Sequence, residues 1–312
     1  MVPSPRWPGP LRPGDKVRFL SPASPPDRAG VLRRAAVLRD WGLEVDFGSA
    51  TFNRAGYLAG TDDERLADFN AAIADPAVRA IIATRGGKGS YRIADRLDFA
   101  GLRADPKFIV GFSDIAILLA ACIRHCDLVG VHGALTGEGE EVDAAAAIAL
   151  RRLLMTADET VIAARPDEAT HALSTAGVAR GRLVGGHLET IAAGAGWALP
   201  PLAGAILLLE AVNMGIGQVD RLLTMLRKAG HLDGLAGVAL GQFTGFDPVI
   251  LEVLGGHFDT LDVPVLGGLP LGHGVAPVCV PVGADTILDS GRHQLIVRHP
   301  QIARDGSVAT QW

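Results

Sequence analysis

Cysteine is nearly missing from this sequence, with three in 312 residues. So few, and an odd number, exclude a disulfide-stapled fold and point to a reducing compartment. Aromatic residues are scarce at 5 %, so a core must be built from Ala, Val, Leu and Ile. Neither sign of charge dominates: 29 Lys and Arg against 34 Asp and Glu leave a formal charge of −5. That balance lacks the basic footprint of a nucleic-acid partner. No long apolar run goes unbroken. The uncharged stretch 191–209 comes nearest to a membrane span, but Pro200 and Pro201 interrupt it. It reads as a helix end, a turn and a buried strand. The first 17 residues hold five prolines and no apolar h-region, unlike a secretory signal. The expectation is a soluble, cytoplasmic protein that engages neither nucleic acid nor membrane.

What the sequence does contain is 48 % apolar residues and 39 glycines, enough for a real core with many turns. The length suits two domains. Through the first half, strand and helix patterns alternate. Strands are expected over 16–20, 43–47, 77–83, 108–111 and 128–131. Helices are expected over 27–41, 61–73, from 91 to 97, from Ser113 to 121, and over 141–155. In the first of these helices Leu32, Ala35, Ala36 and Leu38 read as the inward face. This alternation predicts a mostly parallel, doubly wound α/β domain, whose ligands sit at the carboxyl ends of the strands. Residues 156–178 are polar and read as an irregular linker. Beyond them, short apolar runs at 205–209, 235–240, 264–266 and 294–298 alternate with Gly and Pro. One helix interrupts these runs, with Val219, Leu222, Leu223 and Leu226 on one face. The expected organisation is an α/β domain over 1–155, the linker, and a β-rich, barrel-like domain over 179–312.

Several stretches could carry chemistry. Cys122 and Cys126 flank His125 at helical spacing, but no second ligand cluster lies nearby, so no metal site is expected. Phe108-Ile-Val-Gly-Phe-Ser113-Asp114 places a serine on a turn between strand and helix. There a hydroxyl can be exposed beside an amide that faces an oxyanion. The motif is not GxSxG, and Ser113 also reads as a helix N-cap. The loop Thr84-Arg85-Gly-Gly87-Lys88-Gly-Ser offers amides that a ligand can approach closely. It misses the phosphate-loop spacing, and a plain tight turn also explains it. Glu210 ends the apolar run 205–209. Such a carboxylate either orients a histidine or reaches solvent. His273 sits in the glycine-rich turn 267–274, either as a base or as a solvated loop residue. His132 and His187 border glycine turns and read as pocket residues.

Together these pieces resemble the LD-carboxypeptidase family of serine peptidases, which includes muramoyltetrapeptide carboxypeptidases and microcin C immunity hydrolases. The resemblance runs from about residue 13 to 289. It rests on Ser-Pro-Ala-Ser-Pro at 21–25, Tyr-Leu-Ala-Gly-Thr-Asp-Asp-Glu-Arg at 57–65 and Arg-Gly-Gly at 85–87. Pro-Lys-Phe-Ile-Val-Gly-Phe-Ser-Asp at 106–114, His-Gly at 132–133 and Leu-Glu-Ala at 209–211 also match. The set closes with Val-Asp-Arg-Leu-Leu at 219–223, Gly-Leu-Pro-Leu-Gly-His at 268–273 and Pro-Val-Gly-Ala at 281–284. The resemblance implies Ser113 as nucleophile, His273 as general base and Glu210 as the residue that orients His273. It also implies an oxyanion hole from the amides of Gly87 and Asp114, and an active site between the two domains. No metal or organic cofactor is implied, the partner is a small peptide-like substrate, and a homodimer is expected.

The implied reaction releases D-alanine from peptidoglycan tetrapeptides, with Arg85 a candidate partner for the substrate carboxylate. Four positions depart from the family pattern: Lys88 for Tyr, Ala134 for Pro, His187 for Asn and Ala211 for Asp. Those departures keep two alternatives open. One is a related hydrolase of aminoacyl-nucleotides or other acyl amides. The other is a non-catalytic small-molecule binding protein.

Overall fold

The computed structural model describes residues 4–135 and 142–300. Residue 141 of the expected helix and residues 301–312 of the expected second domain lie outside these. The first half runs β1 (Lys16–Leu20), α1 (Arg28–Asp40), β2 (Glu44–Phe47), α2 (Asp62–Ala74), β3 (Val78–Ala83), α3 (Phe99–Ala104), β4 (Phe108–Gly111), α4 (Ala116–Cys126), β5 (Gly130–His132) and α5 (Ala144–Met155). The second runs β6 (Thr160–Ala163), β7 (Val178–His187), α6 (Leu188–Ala193), β8 (Ile206–Val212), α7 (Ile216–Lys228) and β9 (Gly237–Thr244). It ends with α8 (Val249–Phe258), β10 (Val265–Leu266), β11 (Val280–Val282), β12 (Asp285–Asp289) and β13 (Gln294–Val297).

Local chemistry sets the helix starts. Asp27 caps α1 by accepting from the Ala29 and Gly30 amides. Thr61 and Glu64 form a capping box on α2, with Asp62 and Asp63 beside them in the first turn. The buried stripe of α1 is Val31, Ala35 and Leu38. Leu32, expected inward, is 42 % exposed, and Ala36 is exposed as well. Each lies one residue, about 100°, beyond the stripe. The expected helix from 91 to 97 is instead two 3-10 turns, Ser90–Arg92 and Ala94–Arg96. Asp98 then caps a new helix, α3.

The first sheet has the order β11-β5-β4-β3-β1-β2. Its five strands from the first half are parallel, and β11 joins antiparallel to β5. The strand order reverses beside β1, with β2 on one side and β3 on the other. That is the switch point at which such sheets bind ligands. α1 and α5 pack on one face, and α2, α3 and α4 on the other. Covered on both sides, β4 is apolar throughout and β3 is apolar except for Arg79 near its start.

The second sheet has the order β10-β9-β8-β7-β12-β13-β6. β7 to β10 are parallel and β12, β13 and β6 antiparallel. The expected β-rich, barrel-like domain is a seven-stranded mixed sheet, and among the described residues no ladder joins β10 to β6. α6, α7 and α8 cover one face, so the second half carries more helix than its sequence texture suggests. The stretch 156–178 is also more than an irregular linker. It supplies β6, which pairs with β13, and a 3-10 turn at Ala169–Leu173.

α4 joins the two halves. It is apolar all round up to its last turn, with Ala116 to Ile123 and Cys126 buried. Its side chains belong both to the cluster beneath the first sheet and to the cluster around α6 and α7. The turn that begins α4 is therefore held against both sheets.

Candidate active site

Three strands of the first sheet deliver their carboxyl ends to one cleft of about 380 Å³. β3 leads into Thr84-Arg85-Gly86-Gly87, β4 into Phe112-Ser113, and β5 towards Ala134-Leu135. Ser113 opens a 3-10 turn with φ of 61°, a left-handed conformation unusual for a side-chain-bearing residue. It makes no capping hydrogen bond to α4, so the N-cap reading fails. Holding such a residue there costs on the order of 1–3 kcal/mol, which is how strained nucleophile turns are built.

The turn is locked to the glycine loop. The buried Asp114 carboxylate accepts from the Ser90 amide at 2.8 Å and the Ser90 hydroxyl at 2.5 Å. Burial raises the Asp114 pKa, and those Ser90 bonds oppose the rise. Ser24 reaches in from the other side, its Oγ accepting from the Lys88 amide at 3.1 Å. Gly86 has to be glycine, because a Cβ would lie 2.8 Å from Ser113 Cβ. Gly87 has φ of 110°, and a Cβ there would strike Ser24.

The second sheet answers from the opposite side. Glu210, near the end of β8, is fully buried, which overturns the solvent-facing alternative. Its Oε2 accepts from His273 Nδ1 at 2.8 Å. His273 lines the same cleft as Ser113. Its loop is clamped by residues that sequence reasoning did not single out. Gln242 on β9 accepts from the Gly274 amide at 2.8 Å and donates to Glu168 at 2.6 Å and to the Val275 carbonyl at 3.0 Å. Arg165 donates to the carbonyls of Val275 and Ala276 at 3.0 and 2.9 Å. Glu168 and Arg165 lie in the stretch expected to be a mere linker.

The other sequence-selected residues separate. Arg85 lines the cleft at its exposed lip. Lys88 turns away and pairs with Glu189 at the start of α6. His187, at the end of β7, lies 5.5 Å ring to ring from His273, and burial lowers its pKa. His132 is buried behind Glu210, its Nε2 4.0 Å from Glu210 Oε1. Neither ring nitrogen nor that oxygen has a hydrogen-bond partner. Burial pushes the His132 pKa down to about 4, against the opposing pull of Glu210. Cys122 and Cys126 are buried on α4, and among the described residues no three His, Cys, Asp or Glu side chains gather as metal ligands. No helix among those residues is long and apolar enough to cross a membrane.

Residues 17–133 match the LD-carboxypeptidase N-terminal domain, and residues 180–288 match the LD-carboxypeptidase C-terminal domain. The chain belongs to the LD-carboxypeptidase family. Its relatives include the murein tetrapeptide carboxypeptidase of Pseudomonas aeruginosa, 30 % identical over 289 residues, 89 % of this chain and 94 % of the relative. The probable murein peptide carboxypeptidase of Bacillus subtilis is 31 % identical over 295 residues, 92 % of each chain. Among solved structures, the muramoyltetrapeptide carboxypeptidase from Oxalobacter formigenes superposes with a TM-score of 0.79 at 27 % identity, covering 91 % of this chain and 98 % of that one. The apo microcin C7 self-immunity protein shares the fold, with a TM-score of 0.82 at 24 % identity over 94 % of this chain and 98 % of its own. In this family member the N-terminal match contains Gly87 and Ser113, and the C-terminal match contains Glu210 and His273. The cleft therefore lies where the two family domains meet.

Proposed function

We propose that the protein is a serine LD-carboxypeptidase that releases D-alanine from peptidoglycan tetrapeptides, with Ser113, His273 and Glu210 as its catalytic triad. The observation that carries this reading is the 2.8 Å pairing of His273 with a wholly buried Glu210, facing the same cleft as the left-handed Ser113. With Glu210 accepting, Nδ1 of His273 carries the hydrogen and Nε2 is the basic nitrogen. Nε2 takes the Ser113 proton as Oγ attacks the scissile carbonyl. The amides of Gly87 and Asp114 stabilise the resulting oxyanion. The imidazolium then protonates the leaving amine of D-alanine, and water attacks the acyl-enzyme with His273 again as base. The murein peptides named for its relatives supply the substrate class.

The same reading carries a cytoplasmic homodimer of wall recycling, which cell fractionation and sedimentation check. A second reading, an acyl-amide hydrolase of another specificity, draws on His187 beside His273 and on Lys88 being engaged by Glu189.

D-alanine release from a purified tetrapeptide decides between them. Ser113→Ala is expected to lower the rate by more than about 10³-fold while leaving thermal unfolding cooperative. A variant that keeps its activity would remove Ser113 from the mechanism. A wild type inert on the tetrapeptide but active on aminoacyl-sulfamoyl nucleotides would favour the second reading.

A further inference from the structure

The cleft carries two positive charges that the triad does not use. Arg34 sits on the inner side of α1, one turn after Val31 and one before Leu38, and its side chain lines the cleft. A guanidinium on a core-facing stripe is costly to desolvate unless something pairs with it. Its Nε donates to the Gly30 carbonyl at 3.2 Å, within its own helix. Among the described residues no carboxylate comes within ion-pair distance of Arg34 or Arg85. Asp27, the acid in the described lining, is occupied as the cap of α1 and lies 3.8 Å from Arg33. Burial lowers the Arg34 pKa; Arg33 and Arg85 add to that effect and Asp27 opposes it. Two cations thus face one cleft with no carboxylate among the described residues ion-paired to either.

The position matters as much as the charge. Arg85 directly precedes Gly86, the residue packed against Ser113. In a peptide cut one residue from its C-terminus, the terminal carboxylate lies three bonds from the attacked carbonyl carbon, roughly 3–4 Å away. A cation reading that terminus belongs beside the nucleophile turn, where a planar guanidinium can grip a carboxylate through two parallel bonds.

We infer that Arg34 and Arg85 form an anion subsite that receives the free carboxylate of the departing D-amino acid, with Arg34 as its partly buried, specificity-determining member. The assignment rests on the LD-carboxypeptidase reading for the identity of the anion. It makes the enzyme an exopeptidase by charge: a substrate extended or amidated at that end has nothing to neutralise the pair.

Binding and turnover test it separately. In a Ser113→Ala background, the full chain is titrated with a tetrapeptide and with its C-terminal amide, with and without Arg34→Gln. The free acid is expected to bind at least tenfold more tightly than the amide, by roughly the strength of a charged hydrogen bond. Arg34→Gln abolishes that preference, and Arg34→Lys restores part of it. With Ser113 intact, Arg34→Gln raises KM for the acid by roughly 10- to 100-fold with little change in kcat. A preference that survives Arg34→Gln, equal loss of acid and amide binding, or no preference in the parent overturns the subsite. AMP is the second probe: Arg34-dependent AMP binding without acid preference assigns the pair to a phosphate and overturns the carboxylate. If the acid preference depends on Arg34 yet no D-alanine is released, the peptidase reading fails and the subsite stands.

Discussion

Behind the His273–Glu210 pair, His132 is a neutral imidazole held out of water, and folding pays for that in a pH-dependent way. Its folded pKa of about 4 lies below the ordinary 6.5. The unfolded chain therefore binds a proton that the folded protein refuses. Stability from this site is complete above pH 6.5 and drains away as pH falls towards about 4, by about 3 kcal/mol over that window. His187 acts in the same direction. Asp114, whose pKa is raised, acts with the opposite sign. Urea unfolding of wild type and His132→Gln at pH 7 and pH 4 isolates the term. Wild type is expected to lose about 3 kcal/mol more than the variant, and equal losses would refute a buried neutral His132. At this scale the sequence was most informative where a polar residue ends an apolar run. Ser113 and Glu210 stand out that way, and His273 stands out by its glycine-rich turn. Gln242, Arg165 and Glu168 do not, because their partners lie 32 to 111 residues away. Arg34 was equally hidden, reading as one more arginine on an amphipathic helix.

Between elements, β7 fits closely against β8. Gly185 has φ of 141°, and a Cβ there would come 1.9 Å from the Leu208 carbonyl oxygen. The register that this approach permits sets His187 opposite Glu210. Gly185→Ala combines a backbone clash with a disfavoured φ, so it is expected to destabilise the fold by about 3 kcal/mol or more. A calorimetric melt within a degree or two of wild type would show that β7 can shift without cost. β4 is recognisable in the sequence to the residue, since a strand buried on both faces leaves a continuous apolar run, and β1 is recognisable to the residue although Lys16 and Arg18 interrupt its apolar positions. β7 is not: it threads two arginines and three glycines through ten residues, and its strand character comes from its neighbours. β6 and β12 are hidden for the same reason, each being half-exposed and partly polar.

Across the whole molecule, α4 and the cluster it shares leave no seam along which one half could melt alone. Ile117 and Leu118 belong to the same buried cluster as Leu183, Ile206 and Leu208 of the second sheet. Thermal unfolding is therefore expected as one cooperative transition, with calorimetric and van't Hoff enthalpies in agreement. Two resolved transitions would mean that the halves are thermodynamically separate. The two-part texture of the sequence, alternating elements and then short apolar runs, conveys the division but not this coupling. The contacts that fuse the halves are between residues distant in the chain.

β11 carries this furthest. The chain leaves the second sheet at β10, passes through His273, and pairs with β5 in the first sheet before returning as β12. The loop bearing the base is thus moored at both ends, one mooring in each sheet. A gene fusion or recombination that exchanged the C-terminal region for that of another family member would replace an edge strand of the recipient's N-terminal sheet along with the base. Chimaeras would then be selected on how well residues 280–282 fit β5 as much as on the chemistry they import, which ties the inheritance of the two halves together.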